Sequence, residues 1–308
     1  MLQLPATDLT VSPLCLGGNV FGWTADESSS RAVLDRFHDA TGASPSFVDT
    51  AESYGDGTSE RILGAWMADR GVRDQVVVAT KASPRDKEHP LAASEIRAAC
   101  ERSLRNLQTD RIDLYYAHYD DETTPLEESL RAFDKLVRAG KVRYVGASNY
   151  SAARLREARD ISDRLGITRY VALQPHYNLM ERGLYEGELQ NTVAELGMGA
   201  LPYFALAKGF LTGKYHAGEL IDSPRAKGAS KYVGDKGDRV LRALQQVAQA
   251  QGVPAAAVAL RWLADQPTVV APIASARDVE QLADLLPMQD LKLADDELQV
   301  LNDASFRR

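Results

Sequence analysis

Short apolar runs alternate with longer amphipathic segments along the chain, a pattern typical of β-strands that alternate with α-helices. The apolar runs are rich in β-branched residues and cover residues 13–18, 46–51, 76–81, 113–118, 142–148, 170–175, 198–206 and 268–275. The amphipathic segments fall near residues 28–41, 59–70, 93–107, 126–138, 151–165, 184–196, 238–264 as a broken pair, and 277–286. Eight strands, each followed by a helix, predict an α/β fold with a closed (β/α)8 barrel, the TIM barrel.

Residues that commonly begin or end helices support these boundaries. Ser151 is expected to cap the helix after the fifth strand, and Gly140 stands where the fourth helix should end. Pro254 is expected in a first turn, where it restarts the helix after Gly252. The segment 292–303 predicts a further helix that lies outside the barrel.

Neither a Pro/Ser/Gly-rich linker nor an internal repeat divides the sequence. A length of 308 residues suits one barrel of ordinary size, so we expect a single domain over residues 1–308. The segment 213–237 contains several glycines, lysines and arginines and is the one long loop of this prediction. Long ordered loops in such domains tend to be functional.

The composition narrows the classes of function. A formal net charge of -7 and a pI near 5.4 argue against a nucleic-acid surface, which would need a stripe of Lys and Arg. No stretch approaches the roughly 20 apolar residues of a membrane span, and no secretory leader is recognisable, so we expect a cytoplasmic protein. Cys15 and Cys100 are the only cysteines; they suit a reducing compartment, are expected to fill the core, and predict no metal site.

Polar residues gather at one end of the predicted strands, although the strands of a parallel barrel should be nearly uniformly apolar. These residues are Asp49 and Thr50, Lys81, His118, Ser148 and Asn149, Gln174, Tyr203, and Ser275. Any one of them could be a helix cap or a satisfied polar residue at the rim. Because all eight carboxyl ends open onto one face of a (β/α)8 barrel, together they predict an active site on that face.

Four residues in these strands and the loops after them suit proton transfer to a carbonyl group. Tyr54 is a poor acid at neutral pH, with an ordinary pKa of about 10, and a nearby cation would lower that pKa. Lys81 could supply the charge while Asp49 pairs with its ammonium group, and His118 could hydrogen-bond the carbonyl oxygen or help relay a proton. Such a group suits the reduction of an aldehyde or ketone to an alcohol. No side chain provides hydride, so a nicotinamide cofactor is required.

Six blocks, in order along nearly the whole chain, resemble the aldo-keto reductase family in its bacterial branches. They are FVDTAESYGDGTSERILG (47–64), VVVATK (76–81), DLYYAH (113–118), GKVRYVGASNYSA (140–152), ALQPHYNLMER (172–182) and LPYFALAKGFLTGKY (201–215). The resemblance implies an NADPH-dependent oxidoreductase in which Tyr54 is the general acid, assisted by Asp49, Lys81 and His118. The family binds NADPH or NADP+ extended across the carboxyl-end mouth of the barrel, without a GxGxxG fingerprint.

The resemblance also assigns residues to the cofactor. Ser148, Asn149 and Gln174 would bind its carboxamide, and Tyr203 would stack on the nicotinamide ring. The stretch from Phe204 to Gly213 would lay backbone amides along the pyrophosphate. The other residues implied are Leu206, Lys208, Gly209 and Lys214 at the pyrophosphate, Gly18 and Asn19 beneath the cofactor, and Ser275, Arg277 and Gln281 facing a phosphate.

Two departures from the family pattern bear on cofactor binding. Relatives commonly read YSPLA after the seventh strand, whereas this chain reads YFALA (203–207), which removes a hydroxyl. Leu285 stands in the position of an Asn that lies near the adenine in relatives, so that contact is missing. Arg277, at the start of the last barrel helix, predicts NADPH over NADH, because a guanidinium and a helix amino terminus both favour a 2′-phosphate, although Asp278 follows it.

The residues near the candidate catalytic group predict the kind of substrate. Trp23, Tyr54, Tyr119 and the loop Asp120–Thr124 predict a pocket with aromatic walls and an acidic edge. The predicted partner is a small-molecule carbonyl compound of no particular identity, and the sequence predicts no oligomeric state. Two other functions stay open at this point. A cofactor-binding regulatory subunit with slow turnover would belong to the same family, and a lyase or isomerase acting on phosphorylated substrates would share only the fold.

Overall fold

The computed structural model describes residues 2–82, 88–213 and 226–306, apart from the side chains at 226 and 227. A short antiparallel hairpin of β1 (Leu2–Gln3) and β2 (Thr10–Val11) precedes the parallel strands. The parallel strands are β3 (Cys15–Gly17), β4 (Ser46–Asp49), β5 (Val76–Ala82), β6 (Ile112–Ala117), β7 (Val142–Ser148), β8 (Tyr170–Gln174), β9 (Gly199–Ala200) and β10 (Ile273–Ala274). They form one sheet in the order β10-β3-β4-β5-β6-β7-β8-β9.

The sheet closes into a barrel between β9 and the segment that leads to β10. The amide of Ala200 donates to the carbonyl oxygen of Thr268 at 2.8 Å, and the amide of Val270 donates to the carbonyl oxygen of Ala200 at 2.9 Å. The amide of Ile273 donates to the carbonyl oxygen of Pro202, also at 2.9 Å. Since β10 pairs with β3 at the other edge, every parallel strand has two neighbours. The predicted (β/α)8 barrel is confirmed.

Helices cover the outside of the barrel. They are α1 (Glu27–Thr41), α2 (Thr58–Arg70), α3 (Ala93–Leu107), α4 (Leu126–Arg138), α5 (Ala152–Leu165), α6 (Glu188–Glu195), α7 (Ala226–Ala229), α8 (Asp235–Gln251), α9 (Ala255–Ala264), α10 (Val279–Leu285) and α11 (Asp295–Ser305). Ser151 caps α5 by accepting a hydrogen bond from the amide of Arg154, and Gly140, with φ +72°, follows the end of α4. Both agree with the sequence, whereas Pro254 is the N-cap of α9 rather than part of its first turn. In the described part of the chain, no helix is long and apolar enough to cross a membrane.

Side chains alternate between the inside of the barrel and the helix layer. On β5, Val77 and Ala79 belong to the apolar cluster inside the barrel, whereas Val78 belongs to the cluster between strands and helices. Cys15 lies in the inner cluster and Cys100 in the outer one, so both fill the core as expected. Fully burying an aliphatic side chain contributes roughly 1.5–3 kcal/mol, so two such clusters stabilise the barrel from both faces.

Two predicted strands are much shorter in the structure than in the sequence pattern. The run 198–206 forms only the two residues of β9, and the run 268–275 forms only the two residues of β10. Pro202 and Pro272 lack the amide that a continuous ladder would need, which shortens both strands.

The predicted long loop 213–237 is wrong in its second half. Residues 226–229 form α7, residues 230–232 form a 3-10 turn, and α8 begins at Asp235. Residues 214–225 lie outside the described part of the chain. The loop prediction fails there because the glycines in the second half lie within or next to helical turns. Composition alone does not indicate such a position.

Candidate active site

The strand pattern brings three polar side chains into the carboxyl end of the barrel. On β4, Asp49 lies two residues after the inward-facing Phe47, and on β5, Lys81 lies two residues after the inward-facing Ala79. His118 directly follows β6 and has the same phase as the inward-facing residues of that strand. Because strand side chains alternate between faces, all three point into the mouth of the barrel.

The Lys81 ammonium group is buried at the floor of this mouth and has three oxygen partners. It donates hydrogen bonds to Asp49 Oδ1 at 2.6 Å, to the carbonyl oxygen of Thr50 at 2.8 Å and to Tyr54 Oη at 3.4 Å. The side chains of Lys81 and Asp49 are only 1% and 4% exposed. Burial alone would lower the pKa of Lys81, but Asp49 and Tyr54 outweigh burial and raise it. Lys81 is therefore charged at neutral pH, and a carboxylate compensates its charge.

Tyr54 reaches Lys81 from a tight turn that follows β4. Gly55, Asp56 and Gly57 have positive φ angles of 59°, 51° and 82°, and this backbone turns the tyrosine ring back over the barrel. Desolvation raises the pKa of Tyr54 above its ordinary value of 10.0, and the charge of Lys81 opposes that rise without cancelling it. The sequence predicted a pKa below the ordinary value. The charge of Lys81 does act in that direction, but the pKa is raised overall, so the prediction is wrong for the net shift. The hydroxyl is protonated at neutral pH.

His118 completes the group as a neutral imidazole. Its ring is nearly perpendicular to that of Tyr54, with centroids 6.3 Å apart, and is stacked with Tyr119 at 4.5 Å. Desolvation and the nearby charge of Lys81 lower the pKa of His118 from 6.5 to about 3. The ring can therefore form hydrogen bonds at neutral pH without carrying charge.

The lowered pKa of His118 predicts a pH-dependent loss of stability. Between pH 6.5 and about 3 the unfolded chain binds a proton at this histidine that the folded chain does not bind. The free energy of unfolding should therefore fall as the pH decreases through this range. We expect the free energy of unfolding of His118→Gln, measured by urea titration, to fall less over this pH range than that of wild type. His89→Gln, at an exposed histidine, should behave like wild type. Equal losses in all three chains would contradict the assignment.

Gln174 connects this group to a second set of polar residues. Its Nε2 donates to Asp49 Oδ2 at 2.9 Å, and its backbone carbonyl accepts a hydrogen bond from Ser148 Oγ at 3.0 Å. Asn149 donates to Ser148 Oγ at 3.1 Å and accepts a hydrogen bond from Tyr203 Oη at 2.8 Å. The three residues assigned to the carboxamide thus lie together with Tyr203 and hold one another. Their contact with a carboxamide stays a prediction.

The loop after β9 has an unusual backbone. Phe204, Ala207 and Lys208 have positive φ angles of 52°, 48° and 59°, which residues other than glycine rarely adopt. Such conformations cluster at functional sites. The amides of Ala207 and Gly209 donate to the carbonyl oxygens of Phe204 and Leu206, at 2.7 and 2.8 Å. These two amides are therefore engaged within the loop, and the expectation that the whole stretch offers its amides to a pyrophosphate is wrong for them.

A cleft of about 660 Å³ crosses the mouth of the barrel. The predicted residues that line it are Asp49, Tyr54, His118, Tyr119, Asn19, Ser148, Asn149, Gln174, Tyr203, Phe204, Leu206, Lys208, Gly209, Ser275, Arg277 and Gln281. Lys81 is buried beneath Tyr54 and Asp49, and Lys214 lies outside the described residues. The sequence missed the lining residues Gly17, Val20, Thr24, Ser53, Ala256, Ile273, Ala274 and Asp284. Of these, Gly17, Val20, Ser53 and Ala274 adjoin residues that were named for the site.

Two predicted site residues lie away from the lining of this cleft. Gly18 is buried, and its carbonyl oxygen accepts a hydrogen bond from Ser59 Oγ at 2.7 Å. Trp23 is 59% exposed. Neither residue is among the described residues that line the cleft.

The loop 120–124 does not give the cleft an acidic edge. Asp120 forms a bidentate ion pair with Arg154, at 2.8 and 2.9 Å. Asp121 accepts hydrogen bonds from the amides of Leu91 and Thr123, and such bonds outweigh burial and lower its pKa to about 2. Both carboxylates are used inside the structure. Glu122 is exposed, but no residue of the loop 120–124 is among the described residues that line the cleft, so the predicted acidic edge is wrong.

Arg277 lines the same cleft as Tyr54 and lies just before the N-cap of α10. Its guanidinium forms no ion pair with any residue that the structure describes. Asp278 is the N-cap of α10 and accepts the amide hydrogen of Gln281 at 2.8 Å. The negative charge of Asp278 repels a phosphate at this helix terminus. The terminus therefore favours a 2′-phosphate less than the sequence suggested. Leu285, which is buried, also lines the cleft, as does Ala256.

Comparisons with known proteins agree with the six sequence blocks. The chain matches the model described as the Aldo/keto reductase family over residues 13–305. It is 35% identical to an uncharacterized oxidoreductase of Bacillus subtilis, over 97% of this chain and 94% of that protein. It is 33% identical to a probable voltage-gated potassium channel subunit beta of Oryza sativa, over 94% and 90% of the two chains. It is 31% identical to an aryl-alcohol dehydrogenase (NADP(+)) of Phanerodontia chrysosporium, over 97% of this chain and 84% of that protein.

Proposed function

Since the chain belongs to the aldo/keto reductase family, we propose that it reduces an aldehyde or ketone to an alcohol with NADPH. In this reaction one carbonyl compound, one NADPH and one proton give one alcohol and one NADP+. The observation that carries the proposal is the hydrogen bond, at 3.4 Å, from the buried and charged Lys81 to the hydroxyl of Tyr54 in the floor of the cleft. The relative named as an NADP(+) dehydrogenase supports the choice of cofactor.

Each residue of the group has a role in this proposal. Tyr54 donates its hydroxyl proton to the carbonyl oxygen, and Lys81 stabilises the phenolate that remains. Asp49 holds the ammonium group in place. His118, which is neutral, hydrogen-bonds the carbonyl oxygen and orients it without competing as a cation. The bound cofactor supplies the hydride.

The cleft contains residues that fit a dinucleotide. Tyr203 offers an aromatic ring near the candidate catalytic group, beside the amides of Gln174 and Asn149. Lys208 and Arg277 offer positive charge further along the cleft. Its volume lies within the range of small-molecule sites.

The proposal is tested by turnover. The purified chain is mixed with NADPH and a panel of aryl aldehydes, diketones and keto-sugars, and the absorbance of NADPH is followed. We expect oxidation of NADPH with formation of an equal amount of alcohol. Quenching of tryptophan fluorescence by NADPH, without oxidation by any member of the panel, would contradict the proposal.

The position of Arg277 predicts a preference for NADPH over NADH. Arg277→Ala should raise KM for NADPH roughly tenfold, since hydrogen bonds to a charged group contribute about 1.5–3 kcal/mol and this group is partly solvated. KM for NADH should hardly change, because NADH has no 2′-phosphate. Lys208→Ala is the matched control, at the other cation among the described residues that line the cleft; it should weaken both cofactors alike, because both carry a pyrophosphate. A wild-type preference for NADH would refute the role of Arg277.

A second candidate function is that of a cofactor-binding regulatory subunit. The relative named as a probable potassium channel subunit beta favours this possibility. Tight binding of NADPH with very slow oxidation would then be expected. The panel experiment separates the two functions, because it records binding and turnover independently.

A further inference from the structure

We propose that Glu60, in the first turn of α2, is a positioning residue that fixes Lys81 and Tyr54 relative to each other. Glu60 is fully buried and lies outside the cleft, so it contacts neither substrate nor cofactor in the proposed function. The inference rests on the proposed function, because it concerns the geometry of the proton donor.

Glu60 is bonded to the strand that carries Lys81. Its Oε1 accepts a hydrogen bond from Thr80 Oγ1 at 2.7 Å. Thr80 directly precedes Lys81 on β5, and alternation turns its side chain outward toward α2 while Lys81 points inward. A bond that fixes Thr80 therefore also fixes the backbone from which Lys81 extends.

Glu60 is also connected to the turn that carries Tyr54. Its Oε2 accepts a hydrogen bond from Asn106 Nδ2 on α3 at 2.9 Å. Asn106 packs closely against Gly57, since a Cβ atom placed on Gly57 would lie 2.6 Å from Asn106 Nδ2. Gly57 ends the tight turn that begins at Tyr54. One carboxyl group thus joins the Lys81 strand to the Tyr54 turn through α3.

The neighbouring Ser59 holds the same turn from the other side. Its hydroxyl is 2.8 Å from Thr50 Oγ1, and its amide donates to the carbonyl oxygen of Tyr54 at 3.3 Å. The carbonyl oxygen of Thr50 is the second acceptor of the Lys81 ammonium group. Two successive residues of α2 therefore hold the backbone on both sides of the bond between Lys81 and Tyr54.

The chemistry of Glu60 argues for such a role over simple packing. Burying a carboxyl group costs free energy, and burial raises the pKa of Glu60 although Asn106 and Thr80 donate hydrogen bonds to it. An apolar side chain of similar size would fill the same space at lower cost. A carboxyl group, unlike such a side chain, can bond β5 and α3 at the same time through its two oxygens.

The test compares Glu60→Ala with Glu60→Gln and with a matched control. We expect Glu60→Ala to lower kcat roughly 10- to 100-fold, since small misplacements of reacting groups cost that much, with KM for both substrates within about threefold of wild type. Glu60→Gln should keep most of kcat, because a glutamine can bond Thr80 and a rotated Asn106 amide. Thr80→Val, which removes one of the two bonds, should lower kcat in the same direction by less.

Asp113→Asn serves as the control for a purely structural role. Asp113 is another buried carboxylate bonded to β5, where it accepts the amide hydrogen of Val78 at 2.9 Å, but it lies toward the opposite end of that strand. We expect it to lose stability in urea unfolding while kcat stays near that of wild type. The pH above which kcat declines should shift upward in Glu60→Ala alone, since Lys81 then holds the Tyr54 phenolate less closely.

Three results would overturn the inference. A folded Glu60→Ala chain with kcat within about threefold of wild type would refute it. A loss of kcat in Asp113→Asn equal to that in Glu60→Ala would also refute it. The third such result is a Glu60→Gln chain that loses kcat as Glu60→Ala does, combined with a pH profile of Glu60→Ala that matches wild type. A wild-type chain that reduces no carbonyl compound would overturn the proposed function as well, which distinguishes the two failures.

Discussion

Tyr54→Phe is expected to lower kcat for carbonyl reduction by about 10²–10⁴-fold, the usual contribution of general acid catalysis. The phenyl ring can keep its place beside His118, and among the described residues the hydrogen bond lost is that from Lys81 at 3.4 Å. Affinity for NADPH should therefore stay nearly unchanged. Turnover at saturating substrate and a fluorescence titration with NADPH measure the two quantities separately.

Tyr119→Phe is the matched control for this substitution. Tyr119 lines the same cleft and stacks with His118, but it is 62% exposed and is not among the three oxygen partners of Lys81 described above. Its loss should leave kcat within about threefold of wild type. If Tyr54→Phe kept more than about a tenth of wild-type turnover with chemistry rate-limiting, Tyr54 would not be the proton donor.

Lys81→Met should be both slow and destabilised. The substitution leaves the buried carboxylate of Asp49 without its cation, which costs about 3–5 kcal/mol of unfolding free energy. It also removes the charge that stabilises the Tyr54 phenolate. Asp49→Asn should act indirectly, since Lys81 keeps its charge but loses its strongest partner. Circular dichroism establishes whether each chain folds, and urea unfolding gives the stability.

The double variant Asp49→Asn with Lys81→Met separates catalysis from folding. Removing both charges leaves no uncompensated ion in the barrel, so we expect the double variant to regain much of the stability lost in Lys81→Met. Its kcat should stay low, because the cation beside Tyr54 is still missing. Recovery of both stability and turnover would show that the pair is structural only.

Much of the architecture could be predicted from the periodicity of apolar residues. The strand β5 was visible as VVVATK, and the place of Lys81 at the end of that run already put it on the carboxyl-end face of the barrel. The short strands β9 and β10 were overestimated, since an apolar run containing Pro202 or Pro272 does not reveal how few ladder bonds it forms. The helical turns from residue 226 onward depend on packing against the rest of the chain, which composition does not encode.

The convergence of the site residues could be predicted from the sequence, whereas their pKa shifts and ion pairs could not. The direction of the pKa shift of Tyr54 depends on how fully its hydroxyl is desolvated, and only the folded chain sets that burial. Asp120 and Asp121 looked like a free acidic edge until the structure paired them with Arg154 and with backbone amides. Glu60 was missed because a glutamate in an amphipathic helix is ordinarily expected on the solvent face.

The most direct test of the central claim follows the hydride itself. NADPH deuterated at its transferable position is incubated with an accepted aldehyde and the wild-type chain or Tyr54→Phe, and the alcohol is analysed by mass spectrometry. We predict that the wild-type chain forms an alcohol with one deuterium at its carbinol carbon, in an amount equal to the NADPH oxidised, while Tyr54→Phe binds the cofactor and forms almost none. A wild-type chain that binds NADPH but transfers no deuterium to any aldehyde or ketone would contradict the account.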